Sequence, residues 1–202
     1  MARLVTFGCS LAHGMGLPIP DKQVWGGLLS NYFNREFVNQ GIPGASNKQI
    51  LHAIMNFEFQ PDDLVFVLWT MIDRYGILEY NSSKSEYRFY KFTPKSRDDR
   101  SINYYKNFHT DHDHLFLFKV FVEYSIELFK KKNIQPYNLF INEKVHLGID
   151  TQSTFVNVYR NKFSNRYPKG IDGIHMGVEG NRDYAKAIYK ELTAHQNVRA
   201  LI

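Results

Sequence analysis

Three short groups of residues have the types and spacing that acyl-transfer chemistry needs. Gly8-Cys9-Ser10-Leu11 directly follows the β-prone run Leu4-Val5-Thr6-Phe7. In a parallel α/β sheet, ligands bind beyond the carboxyl ends of the strands. A serine on such a turn presents its hydroxyl there, beside backbone N–H groups able to hold an anion. Asn39-Gln40-Gly41-Ile42-Pro43-Gly44 follows a second β-prone run, and its glycines let backbone N–H groups come close to a ligand. Asp172-Gly173-Ile174-His175 stands just before a C-terminal helical stretch. A carboxylate three residues before an imidazole orients it when the segment makes one turn, fixing the tautomer and stabilising the imidazolium. Each group alone has a plain structural role, as a capping serine, a Gly/Pro turn, or a surface aspartate beside a packed histidine. Together they supply a hydroxyl, a base for it and an orienting group for the base, which a serine needs to act as a nucleophile.

The elements that must carry these groups are readable from periodicity. A first strand is expected over 3–7 and a second over 36–39. A helix capped by Asp21 is expected to run through Val24, Trp25, Leu28, Leu29 and Tyr32. Another, capped by Ser46 or Asn47, runs through Ile50, Leu51, Ile54 and Phe57. The run 64–69, LVFVLW, is apolar throughout and fits a strand covered on both faces. A buried helix is expected over 116–129, a strand over 137–141, and a last helix capped by Asn181 that carries Tyr184, Ile188 and Leu192. Strands alternating with helices imply an α/β fold: a three-layer α/β/α sandwich with a short parallel sheet, flavodoxin-like in type. Residues 76–114 show no clear period, and a stretch that long is commonly a binding insertion.

The motifs in this order resemble those of the SGNH (GDSL-like) hydrolase family, over nearly the whole chain from Leu4 to about Ile188. That family carries strand–Gly-Asp-Ser-Leu, then Asn-x-x-x-x-Gly, then Asp-x-x-His before a closing helix; this chain has GCSL, NQGIPG and DGIH. The resemblance implies Ser10 as nucleophile, His175 as general base and then acid, and Asp172 as its orienting partner. The N–H groups of Ser10 and Gly44 would form part of the oxyanion hole. It also implies ester hydrolysis through an acyl-enzyme, with no cofactor and no metal, on small-molecule or carbohydrate esters such as O-acetyl or short acyl groups. Two positions depart from the family pattern. Cys9 stands where the signature has Asp, which opens Cys9 as a second candidate nucleophile. The family's Gly-x-Asn-Asp after the third strand is replaced by Trp69-Thr70-Met71-Ile72-Asp73-Arg74, which puts Ile72 at the position of an oxyanion-hole Asn. Thr70 is then the candidate third donor. His13, Asp73 and Arg74 are candidate substrate-binding groups, with an ion pair to Asp73 as the alternative role of Arg74.

Composition bounds the partners. The chain has 202 residues, 25 Lys and Arg against 20 Asp and Glu, and a pI near 9.1. That is enough for one domain with a full core, expected to span 1–202 with an insertion at about 76–114. A modest basic excess permits an anionic partner without demanding one. No apolar run approaches the roughly 20 residues that span a bilayer. The N-terminus lacks the pattern of a signal peptide, so the expected location is the cytoplasm. The single Cys excludes an internal disulfide. The run His109-Thr110-Asp111-His112-Asp113-His114 has metal-ligand residue types, but reads first as a polar loop capping the next helix. The insertion interleaves eight tyrosines and phenylalanines from Tyr75 to Tyr105 with Lys and Arg. Such a surface suits sugar rings or single-stranded nucleic acid. A non-catalytic binding module using this insertion is therefore the competing class.

Overall fold

The computed structural model describes residues 2–141, 156 and 158–195. Its centre is a four-stranded, wholly parallel sheet in the order β2-β1-β3-β6. The strands are β1 (Arg3–Gly8), β2 (Glu36–Gly41), β3 (Leu64–Trp69) and β6 (Pro136–Phe140). β3 reads as apolar throughout because both faces of the sheet are covered. Leu4 joins one core layer with Phe66, Leu68, Tyr137 and Leu139, and Val5 and Phe7 join the other with Val65, Val67, Trp69 and Phe140. Helices α3 (Trp25–Tyr32) and α8 (Val178–His195) cover the first face through Trp25, Leu29, Tyr184 and Ile188. Helices α4 (Asn47–Met55) and α6 (Asp111–Lys131) cover the second through Ile50, Ile54, Phe118, Val122 and Phe129. The three-layer α/β/α expectation holds. At the foot of the sheet Arg3 grips the Asp63 carboxylate through two hydrogen bonds of 2.8 and 2.6 Å, fixing the entry of β1 beside that of β3.

The structure redraws four elements. The helix expected from Asp21 is two pieces, α2 (Pro20–Gln23) and α3, separated by Val24 in an extended conformation. The Trp25 N–H opening α3 is taken by the Asn181 side chain at 3.2 Å instead of a carbonyl one turn back. Asn181 therefore does not cap the last helix. It lies inside α8, buried, and its amide also donates to the Met176 and Gly177 carbonyls. Helix α6 is not buried all round: Phe118, Val122 and Phe129 face the core, whereas Phe116, Val120 and Tyr124, at four-residue spacing, are exposed. The 76–114 stretch is mostly regular. It holds the antiparallel hairpin β4 (Tyr75–Asn81) and β5 (Glu86–Phe92), then α5 (Asp99–Asn107).

Two short helices complete the described elements: α1 (Ser10–His13), just after β1 and against β1 and β2, and α7 (Asn161–Ser164), packed on α8. No helix among the described residues is long and apolar enough to cross a membrane.

Candidate active site

Ser10 is the first residue of α1, buried at the carboxyl end of β1. The chain turns at once into a helix there, so the first-turn N–H groups have no carbonyl one turn back to bond. The Ser10 N–H has no hydrogen-bond acceptor among the described residues. β1 sits where the chain order of the sheet reverses, since β2 lies on one side of it and β3 on the other. Crevices form at such a switch point because the connections leave in opposite directions.

His175 arrives from the far end of the sequence. Residues 168–177 form a tight loop closed by the Lys169–Met176 bridge and by the Gly177 N–H on the Pro168 carbonyl at 3.0 Å. The loop docks on residues 14–17: the Ile171 N–H donates to the Gly16 carbonyl at 2.9 Å. Gly16 has φ +82°, and a Cβ there would sit 2.7 Å from Asp172 Oδ1. A side chain at position 16 would be strained and would displace the carboxylate.

The loop places Asp172, His175 and Ser10 in one hydrogen-bonded chain. His175 Nδ1–H donates to Asp172 Oδ2 at 2.5 Å, which leaves Nε2 to accept from the Ser10 hydroxyl at 3.0 Å. The other carboxylate oxygen, Asp172 Oδ1, accepts the backbone N–H groups of Ile174 and His175, each at 3.0 Å. These two backbone donors, with the imidazole, hold the Asp172 carboxyl down at about 2. It is therefore ionised at neutral pH and keeps the proton on Nδ1. Cys9, the rival nucleophile, is wholly buried beneath the turn and packs in the second core layer with Val5 and Phe7.

Asn181 and Trp25 brace this chain from behind. Asn181 ties the Met176 and Gly177 carbonyls to the start of α3, and the Trp25 indole N–H donates to the Leu11 carbonyl at 3.2 Å. The sequence offers Asn181 as a helix cap and Trp25 as a helix-face residue; their bracing contacts span 156 positions between Trp25 and Asn181 and 14 between Trp25 and Leu11, too far for a local pattern to show.

The second wall is the turn after β2. Ala45 N–H bonds the Ile42 carbonyl at 3.0 Å, and Gly44 has φ +71°. Proline fixes φ near −65° at Pro43, so this is a type II turn with Pro and Gly at its central positions. The Gly44 N–H has no acceptor among the described residues. Ser46 caps α4 by accepting the Gln49 N–H at 3.3 Å.

At the end of β3, Thr70 is buried, and its hydroxyl has no hydrogen-bond partner among the described residues. Its backbone is held by Asn47, whose Oδ1 accepts the Thr70 N–H at 2.8 Å and whose Nδ2 donates to the Thr70 carbonyl at 3.2 Å. Ile72 packs against the second core layer, and its carbonyl accepts from His114 Nδ1 at 2.8 Å. That histidine also meets the Tyr104 hydroxyl at 2.7 Å, so it is a buried structural residue. Thr110 caps α6 by accepting the Asp113 N–H at 3.1 Å. No cluster of three His, Cys, Asp or Glu side chains fit for a metal occurs among the described residues. Asp73 and Arg74 lie in the turn between β3 and β4. Arg74 makes no ion pair with Asp73 or any other described carboxylate, and its Nη1 is buried without a partner. His13 ends α1, with its Nδ1 buried and unpartnered. No direct hydrogen bond joins His13, Asp73 or Arg74 to the Ser10–His175 pair.

No protein-family model and no curated relative matches the sequence. Solved structures do match. One is a lipolytic G-D-S-L protein from Veillonella parvula, 13% identical, TM-score 0.55, over 96% of this chain and 99% of that one. A lipase from a goat rumen metagenome is 11% identical with a TM-score of 0.60, over 95% of this chain and 97% of its own. A variant of an acetyl xylan esterase from Geobacillus stearothermophilus is 15% identical with a TM-score of 0.54, over 94% of each chain. The α/β/α arrangement that sets Ser10 at the end of β1 and His175 on the loop before α8 is thus the fold of the G-D-S-L lipolytic proteins and carbohydrate esterases.

Proposed function

We propose that the chain is a serine esterase acting through an acyl-enzyme. The observation that carries this reading is the chain of hydrogen bonds from Asp172 through His175 to Ser10 at the sheet's switch point. Nε2, left unprotonated by the Asp172–Nδ1 contact, takes the Ser10 proton as Oγ attacks the ester carbonyl. The imidazolium formed is stabilised by Asp172 and then protonates the departing alcohol. Water repeats the sequence on the acyl-serine, with His175 again as base, and free acid leaves. The Ser10 and Gly44 N–H groups take the oxyanion, with the Thr70 hydroxyl as third donor. One such donor is typically worth about 10²–10³ in rate. Acylated carbohydrates or other small acyl esters are the substrate class, supported by the acetyl xylan esterase among the proteins of this fold.

The deciding experiment is intact mass after exposure to a small sulfonyl fluoride, with wild type, Ser10→Ala and His175→Ala side by side. One adduct on wild type and none on either variant supports the assignment. An unmodified, folded wild type argues against it, and an adduct surviving in Ser10→Ala moves the nucleophile to Cys9.

One observation favours a second reading, that of a carbohydrate-binding module. At the end of the β4–β5 hairpin the Tyr80 and Tyr87 rings lie 5.1 Å apart and are 57% and 71% exposed. Exposed paired rings suit stacking on sugars. Binding of a xylo-oligosaccharide by Ser10→Ala, lost in Tyr87→Ala, with no turnover by wild type, would favour this reading.

A further inference from the structure

The hairpin touches the site at one polar point. Lys91, on β5, places its Nζ 2.5 Å from the Pro43 carbonyl oxygen. A Cβ on Gly44 would meet only the Lys91 side chain, at 3.5 and 3.6 Å. The other contacts between the hairpin and this wall are packing: Gly76 against Ser46, the Phe89 ring against His52, and Lys48 over the Tyr75 ring.

The Pro43–Gly44 peptide is trans, as every described peptide is. In a trans peptide the carbonyl oxygen and the N–H point to opposite edges of one plane. Holding the Pro43 oxygen toward the hairpin therefore holds the Gly44 N–H toward the opposite side. Turns of types I and II differ mainly by a half-turn of this central peptide. Proline suits the first central position of both, and glycine accepts the second position of both. Pro-Gly leans toward type II without excluding type I. A cation on the carbonyl oxygen adds to that lean, and it also draws electrons toward oxygen and makes the N–H a better donor.

We infer that Lys91 is a positioning residue that latches the Pro43–Gly44 peptide and so aims and strengthens the Gly44 N–H as an oxyanion donor. The inference rests on the esterase reading for the role of Gly44. It gives the hairpin a task in the reaction that its aromatic surface does not suggest. Lys91 touches no reacting atom, and its effect passes through one peptide plane. Among the described residues the Pro43 carbonyl is the one hydrogen-bond acceptor of the Lys91 Nζ.

Two measurements on wild type, Lys91→Met and Lys91→Arg test this. The first is the Gly44 amide resonance in a ¹H–¹⁵N spectrum, which requires no turnover. Lys91→Met should shift or broaden it, and Lys91→Arg should leave it near the wild-type position. The second is kinetics on p-nitrophenyl acetate. Lys91→Met should lose roughly three- to tenfold in kcat with KM nearly unchanged, as expected when a donor acts mainly in the transition state. Lys91→Arg should recover most of that loss. An unmoved Gly44 resonance, an undiminished kcat in Lys91→Met, or a loss confined to KM overturns the latch and leaves the esterase standing. A wild type that does not turn over any ester overturns both.

Discussion

The Asp172 carboxylate accepts three hydrogen bonds, two of them from its own loop's backbone. It therefore folds the loop and orients His175 at once, and Asp172→Asn separates those roles. The amide still accepts from the Ile174 and His175 N–H groups but no longer stabilises an imidazolium. Turnover should fall by about 10²–10⁴ with the chain still folded, measured as kcat. The same carboxyl makes stability depend on pH. Its folded value, about 2, lies below the ordinary 3.8, so its contribution is fully present above 3.8 and is lost as pH falls toward 2. Melting temperatures of wild type and Asp172→Asn should thus converge between pH 4 and pH 2. A constant gap across that range would show that the charge does not brace the loop. Thr70 supplies a second residue-level test: Thr70→Val keeps the shape and removes the one unpartnered hydroxyl at the end of β3. A fall in kcat of at least about tenfold marks it as the third oxyanion donor. These residues differed in how openly the sequence showed them. Asp172 and His175 sit one turn apart, so their spacing reveals them. The task of Thr70 depends on where a strand end points in space, and Asn47, which pins it, is 23 positions away.

Elements showed themselves where burial is one-sided or complete, and hid where tertiary contacts override local preference. β3 was legible because a six-residue apolar run needs two covered faces, and β1, β2 and β6 because short β-prone runs there stop at turn residues or follow them. The break at Val24 was not, because the partner of the Trp25 N–H comes from α8. Helix α6 looked buried all round because its exposed positions hold Phe116, Val120 and Tyr124. The hairpin escaped notice since aromatic residues fill both of its faces and erase the alternation that marks a strand. At this scale the critical joint is that between the 14–17 and 168–177 loops. Gly16→Ala forces a left-handed residue to carry a Cβ and pushes it against Asp172. A loss of about 1–2 kcal/mol in urea unfolding is expected, together with reduced kcat. Wild-type stability and kcat would mean that the loops part freely.

Taken whole, the molecule separates a rigid sheet from an added hairpin. Of the hairpin's side chains only Phe92 is deeply buried, and the Tyr80 and Tyr87 end stands in solvent. Joining Leu78 to Phe89 through Asn-Gly in place of residues 79–88 should therefore change the melting temperature by no more than roughly 2–4 °C. Lys91 stays in place, so p-nitrophenyl acetate should still be hydrolysed, whereas any preference for a sugar ester should weaken. Equal losses on both substrates would make the hairpin part of the scaffold. The path of the chain through the sheet has a consequence in time. The strand that ends at Ser10 is made before the other strands of its sheet and lies inside it, yet His175 follows 165 residues later. On the esterase reading, Ser10 has no base until His175 has left the ribosome, and any product ending before residue 175 should be silent toward an activity-based probe. On that reading, reactivity of the serine is in effect a receipt for synthesis past His175, and such a probe applied to translating extracts would pass over every shorter product.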